Sequence, residues 1–231
     1  MRMEPQALRS WRRDARERLI RARLALAADT LKDWRTKIDD FLERAFPGLA
    51  GSKLALCWPI RNEYDARHLA RRLRAKGART ALPVVVARGQ PLVFREWHPG
   101  VKLASGPLDI PCPVGSPEVV PDAVLLPMNG WDARGYRLGY GGGFFDRTLA
   151  AAQKKPLVIG VAYEMARLET IHPQSWDVPV DWLVSERGVY RRDPEGLVFL
   201  GAPPAGEASN RASPVCYAAE VAPGYFGDQP D

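Results

Sequence analysis

The sequence predicts an α/β fold: a mostly parallel sheet with helices on both faces, a three-layer α/β/α arrangement preceded by a basic N-terminal helix. Short apolar runs alternate with stretches of helical periodicity, the pattern left by strands that cross over through helices. At 231 residues the chain can bury one substantial core. Its 46% apolar and 26% charged residues are ordinary for a globular protein.

The elements follow in order. Leu8, Trp11, Ala15, Leu19, Ala22 and Leu26 recur every three or four residues and mark one apolar face of a helix over about Pro5 to Ala28. A second helix is expected from about Leu31 to Phe46, then a strand at Lys53 to Trp58 and a helix from Glu63 to Lys76. Thr80 to Val86 and Leu92 to Trp97 read as strands, and His98 to Pro121 as a loop rich in proline and glycine. Ala123 to Leu126, Pro156 to Tyr163 and Trp182 to Ser185 are further strands, with a helix between the first two ending near Gln153. Ligands in such sheets sit at the carboxyl ends of the strands, where the residues after Trp58 and after Leu126 both open. The α/β domain is expected over residues 1–200, including the helix at 1–28. Residues 201–231 are read as an Ala/Gly/Pro/Ser linker and an aromatic tail that either docks, on this domain or a protein partner, or stays disordered.

No apolar run approaches the length of a membrane span, and the N-terminus carries no uninterrupted apolar core of a signal. Cys57, Cys112 and Cys216 are widely spaced and follow no metal-ligand pattern, so they read as reduced cytosolic thiols. Cys57, in an apolar run, is expected in the core.

The most informative stretch is Arg137-Leu138-Gly139-Tyr140-Gly141-Gly142-Gly143-Phe144-Phe145-Asp146-Arg147. Glycines allow positive φ and close approach of backbone N–H groups to an anion. A helix starting near Phe144 would add its N-terminal dipole. Arg137 brings a planar fork for phosphate oxygens, and Asp146 is a ligand for the divalent cation that phosphates carry. The Walker A loop is excluded because no Lys-Ser/Thr follows the glycines. The dinucleotide fingerprint is excluded because a polar, turn-rich segment separates the glycines from the preceding strand, and Glu164 only mimics its ribose-binding acid. A hairpin or lid without a ligand remains the alternative.

The longer segment Leu126-Pro127-Met128-Asn129-Gly130-Trp131-Asp132 through Arg137-Leu138-Gly139 to Phe144-Phe145-Asp146-Arg147 resembles the signature of the 5-formyltetrahydrofolate cyclo-ligase family. A weaker resemblance extends from about Arg9 to Ser185, and the residues beyond it have no counterpart. The resemblance implies a cytoplasmic ligase of one-carbon metabolism that consumes ATP as co-substrate, uses Mg²⁺ and closes a reduced folate into its methenyl form. It implies ATP binding by Arg9, Arg13, Arg137, Gly139, Tyr140, Gly141, Gly142, Gly143, Phe144 and Phe145, with Arg137 catalytic. Trp58, Glu63, Tyr140 and Phe144 are implied on the folate, and Asp146 and Asp177 on the metal, with Asp181 as the second choice for the latter. Two features depart from the pattern. The aromatic pair, commonly Tyr-Tyr or Phe-Tyr, is Phe144-Phe145 here, and the loop lacks the basic residues that some relatives carry at the positions of Tyr140 and Gly142.

Local reading leaves alternatives for each residue. Arg9 and Arg13, four apart, share a side of the helix and could reach one phosphate group, or could belong to a solvated basic face. Residues 1–23 carry eight arginines against Glu4, Asp14 and Glu17, so 8 − 3 gives +5 of the chain's +6. Nucleic-acid binding through this one helix is the corresponding rival function, and a folate- or nucleotide-binding paralogue without turnover is the other. Glu63 would be favoured by a helix dipole with Asn62 as N-cap, whatever it binds. Asp177 or Asp181 could simply cap a turn.

Overall fold

The computed structural model describes residues 3–204. Helices α1 (Pro5–Leu24) and α2 (Ala28–Ala45) come first, followed by strand β1 (Lys53–Leu56), helix α3 (Arg67–Ala75), and strands β2 (Arg79–Val84) and β3 (Val93–Glu96). A small hairpin, β4 (Leu103–Ser105) and β5 (Pro111–Pro113), leads to β6 (Ala123–Pro127), β7 (Gly130–Asp132) and β8 (Arg137–Leu138). Helix α4 (Phe144–Ala151), β9 (Leu157–Val161), β10 (Arg167–Leu168), β11 (Trp182–Ser185), β12 (Gly188–Arg192) and β13 (Leu197–Gly201) complete the order.

The eight-stranded main sheet runs β13-β12-β11-β9-β6-β1-β2-β3. Its centre, from β11 through β9, β6 and β1 to β2, is parallel, and β3 and the β12–β13 pair close its edges antiparallel. The central strands read as continuous apolar runs because both faces are covered. Leu54, Leu56, Leu125 and Ile159 pack under Ile38 and Leu42 of α2 and Leu69 of α3. The alternate residues Ala55, Val124, Leu126 and Val158 face Leu149 of α4 and Trp131 on the other side. Leu42 has no exposed surface, and truncating such a residue to Ala costs about 2–5 kcal/mol.

Helix α1 seats Ala15 and Leu19 on Leu138 and Ile171, beside the three-stranded sheet β10-β7-β8. Its buried stripe turns away from Ala22 to Ile20 and Arg23.

Other elements depart from the sequence reading. Helix α3 starts at Arg67 rather than Glu63, because the preceding residues have partners elsewhere: Tyr64 donates to Asp39 of α2 at 2.5 Å, and Glu63 turns toward Tyr140. Asn62 therefore caps no helix. The segment 98–121 holds the β4–β5 hairpin, and β12–β13 extends the sheet past Ser185. Gly201, expected to open the linker, ends β13. The rest of the expected linker and the tail, 205–231, lie outside the described residues.

Candidate active site

A cavity of ≈ 500 Å³ opens at the carboxyl ends of β1, β2 and β6, walled by α1, the glycine loop and the residues that follow β1. Its glycine loop is a hairpin continuation: β7 and β8 pair antiparallel, residues 139–143 turn, and α4 begins at Phe144. Gly141 at φ 91° and Gly143 at φ 63° take the left-handed conformations that side chains resist, and Gly143 is the N-cap of α4.

Arg137 closes the base of the loop. Its Nη2 donates to Asp146 Oδ1 at 2.7 Å, and its Nη1 donates to the Val178 carbonyl. The guanidinium is almost wholly buried, and that burial lowers its pKa against the opposing pull of Asp146 and Asp177. On the outer side Arg147 donates to the Gly142 carbonyl at 2.6 Å and lies over the Phe144 ring.

Of the arginine pair expected on the N-terminal helix, Arg9 lines the cavity and Arg13 does not. Arg9, Arg12 and Arg16 line the cavity, whereas Arg13 points to solvent and pairs with Asp14 at 3.1 Å. Arg16 Nε donates to the Gly139 carbonyl at 2.6 Å, pinning the start of the glycine loop to α1. Arg12 Nη2 bridges the His172 carbonyl at 3.0 Å and Asp177 Oδ2 at 2.6 Å. Burial, then the neighbouring Arg12, lowers the pKa of Arg16, as expected where guanidinium groups gather without a full set of counter-charges. Arg12, Arg16 and Arg23 were missed by the sequence reading. Their signal is the spacing 9, 12, 16, 23, one stripe on the helix beside the apolar face.

The opposite wall carries Trp58 and Glu63. Arg67 stacks over the Trp58 ring at 4.5 Å, and Trp97 meets it edge-on at 5.9 Å, so the indole has a fixed plane. Glu63 is reached through a turn in which Arg61 (φ 50°) and Asn62 (φ 58°) are both left-handed, a costly pairing that reverses the chain and aims the carboxylate inward. Glu63 Oε2 accepts the Ile60 N–H at 3.2 Å, and Oε1 accepts the Tyr140 hydroxyl at 2.8 Å. Arg23 Nη2 stands 3.7 Å from Oε1. Burial pushes the carboxyl of Glu63 up, and Arg23, then Tyr140, Ile60 N–H and Arg61, oppose it.

Cys57 also lines the cavity, and burial followed by the charge of Glu63 raises its thiol far out of the nucleophilic range. Phe144 and Phe145 both line the cavity, with Phe145 packed partly into the core.

Of the metal candidates, Asp146 and Asp177 face the cavity. Asp181 does not. It stands at the amino end of β11, where Oδ2 accepts the Val158 N–H at 2.8 Å and ties β9 to β11 at the far end of the sheet. Among the described residues no three His, Cys, Asp or Glu gather as a ready-made metal cage. Asp146 accepts the Arg137 and Val178 donors through Oδ1, and Asp177 accepts the Arg12 and Gln174 donors through Oδ2. That donor set fits a hard cation that takes one or two carboxylates and completes its shell with phosphate oxygens and water.

Several motif residues are structural. Asp132 is buried and accepts the N–H groups of Arg134, Tyr136 and Ile171, and Trp131 Nε1 donates to the Tyr163 carbonyl. Glu164 is engaged by the hydroxyls of Ser185 and Tyr190, away from the cavity.

The sequence profile of the 5-formyltetrahydrofolate cyclo-ligase family matches residues 8–186. The 5-formyltetrahydrofolate cyclo-ligase of Escherichia coli strain K12 is 31% identical over 152 residues, which is 62% of this chain and 83% of that protein. Its counterpart in Mycolicibacterium smegmatis is 31% identical over 150 residues, 61% of this chain and 77% of that one. The solved structure of Aquifex aeolicus 5,10-methenyltetrahydrofolate synthetase superposes with a TM-score of 0.68 at 27% identity, covering 87% of this chain and 99% of its own. A 5,10-methenyltetrahydrofolate synthetase from Mycoplasma pneumoniae shares the fold, with a TM-score of 0.63 at 21% identity over 76% of this chain and 98% of its own.

Proposed function

The chain belongs to the 5-formyltetrahydrofolate cyclo-ligase family, and from that premise we infer that its cavity converts 5-formyltetrahydrofolate to 5,10-methenyltetrahydrofolate, with ATP as co-substrate. The observation that carries this reading is the pairing of two unlike walls in one cavity. Arginines and glycine-loop amides line one side, and an indole and a buried carboxylate the other.

The 5-formyl group is a formamide whose oxygen leaves poorly. Attack of that oxygen on the γ-phosphorus of ATP breaks the bond to the β-phosphate oxygen, releases ADP and gives an iminium phosphate. The folate 10-nitrogen then attacks the formyl carbon, phosphate departs with the C–O bond, and loss of the N–H proton leaves the methenyl bridge. Such chemistry asks the protein for position and charge rather than a nucleophile. Arg12, Arg16 and Arg137, with the amides of Gly139 to Gly143, are the groups that hold the transferring phosphoryl; Arg9 stands at the rim. Trp58 and Phe144 offer flat surfaces to the folate rings, and Glu63 an acceptor for the N–H edge of the pterin. Asp146 and Asp177 would hold Mg²⁺, which supplies charge neutralisation at the phosphates.

We place the protein in the cytoplasm, in keeping with the free thiols of Cys57 and Cys112; no described helix is long and apolar enough to cross a membrane. The test is stoichiometry: one ADP and one phosphate appear per methenyl product. Product without nucleotide consumption, or nucleotide consumption without product, would contradict the reading.

A further inference from the structure

Tyr140 is the single side chain between Gly139 and Gly141, and it does not point to solvent. Its hydroxyl donates to Glu63 Oε1 at 2.8 Å, Arg23 Nη2 approaches the same hydroxyl at 3.3 Å, and Arg61 lies over its ring at 5.5 Å. Arg23 is itself fixed, since its Nε donates to the Arg61 carbonyl at 2.8 Å. The Glu63 side chain is only 4% exposed, so Tyr140 and Arg23 cover most of what a substrate would have to reach.

Each oxygen of the carboxylate already accepts one hydrogen bond, Oε2 from the Ile60 N–H and Oε1 from Tyr140, and each keeps a further acceptor site. A pterin edge presents adjacent N–H donors that match a carboxylate in bidentate fashion. With Glu63 buried beneath Tyr140 and Arg23, a pterin edge reaches both oxygens only once Tyr140 moves aside. The loop on either side of Tyr140 is held by Arg16 at the Gly139 carbonyl and by Arg147 at the Gly142 carbonyl, so a shift of Tyr140 off Glu63 is transmitted to both anchors. The same loop carries the Gly139 to Gly143 amides that the proposed function assigns to the phosphates.

Resting on the assignment of Glu63 to the folate, we propose that the Tyr140 hydroxyl competes with the folate for Glu63, so that folate binding releases Tyr140 and with it the glycine loop, coupling the folate subsite to the nucleotide subsite. Whichever substrate binds first carries the cost of breaking the Tyr140–Glu63 contact, and the second binds without it. The result is positive cooperativity through one hydroxyl.

The variant that isolates this hydroxyl is Tyr140→Phe, which keeps the ring and its stacking with Arg61. Calorimetry on the full chain would measure the Kd of 5-formyltetrahydrofolate and of a non-hydrolysable ATP analogue, each alone and with the other saturating. In wild type each ligand tightens the other by the same factor, as linkage requires. In Tyr140→Phe the folate Kd measured alone falls, by about threefold to tenfold, and the mutual factor drops toward one. A merely structural role predicts the opposite sign, a looser loop and weaker folate binding. Unchanged or weaker folate binding in Tyr140→Phe, with wild type and Glu63→Gln differing as assigned, would overturn the coupling alone. Failure of wild type to bind folate, or equal binding by Glu63→Gln, would overturn the assignment of Glu63 and this inference with it.

Discussion

Arg137 and Asp146 meet across the base of the glycine loop, Nη2 to Oδ1 at 2.7 Å, and Asp146 Oδ1 also accepts the Val178 N–H at 3.1 Å. The pair therefore locks the loop to the segment that carries Asp177. It also places a guanidinium with no rotational freedom to spare at the edge of the wall that the glycine loop forms. Arg137→Ala is expected to lower kcat by roughly 10²–10³, the loss typical when one preorganised electrostatic donor is removed. Arg137→Lys should recover only part of this, since an ammonium cannot serve Asp146, Val178 and a phosphate with one planar fork. Steady-state kinetics on both variants checks the order wild type, Lys, Ala.

The orientation of α1 makes a separate prediction. Arg12→Ala and Arg16→Ala should each raise KM for ATP by about tenfold or more, equivalent to ~1.4 kcal/mol of binding. Arg13→Ala should leave it within a factor of two, because its guanidinium lies in solvent beside Asp14. Equal effects at positions 12 and 13 would mean that the helix is rotated from the arrangement described.

The acids that burial has raised set a pH dependence. Glu63, Asp39 and Glu186 all have folded-state pKa values above their ordinary ones, chiefly through desolvation. Across the interval between the ordinary and the raised value, the folded protein binds more protons than the unfolded chain. Their contribution to stability is thus greatest below the ordinary carboxylate range and falls as pH climbs toward the raised values. Function runs the other way. On the proposed assignment, ionised Glu63 accepts the pterin edge, so KM for folate should rise as pH falls, with its inflection above the usual glutamate range. In Glu63→Gln that inflection should vanish while the overall KM is higher. A profile of folate KM from pH 5 to 8 on both proteins makes the comparison.

The carboxylates separate by position. Asp146→Asn and Asp177→Asn should each increase the Mg²⁺ concentration needed for half-maximal activity. Asp181→Asn should leave it unchanged and instead lower Tm, because Asp181 joins β9 to β11 at the other end of the sheet. Magnesium titrations of activity beside thermal melts distinguish the two effects.

Much of this arrangement was readable in the chain, and the parts that were not share a cause. Strands such as Ala123–Pro127 and Leu157–Val161 announce themselves because burial on both faces leaves only apolar residues. The glycine loop announces itself because positive φ demands glycine. The rotation of α1 was harder. Arginines crowd nearly every face, so the pair at 9 and 13 looks as good as the pair at 12 and 16 until Leu138 and Ile171 fix which side is down. The turn before α3 reads as helix in the sequence because Glu63 and Tyr64 suit a first turn locally. Their partners, Tyr140 and Asp39, are distant in sequence and outweigh that preference. Asp177 and Asp181 differ only in which end of a strand they approach, which short-range pattern does not encode.

The measurement that tests the central claim most directly is the near-ultraviolet absorbance of the methenyl product, followed with 5-formyltetrahydrofolate and MgATP for wild type and Glu63→Gln side by side. The structure predicts an ATP-dependent rise in wild type, and a rise in Glu63→Gln that needs at least tenfold more folate to reach the same rate. No ATP-dependent rise in wild type, or identical folate dependence in the two proteins, would contradict it.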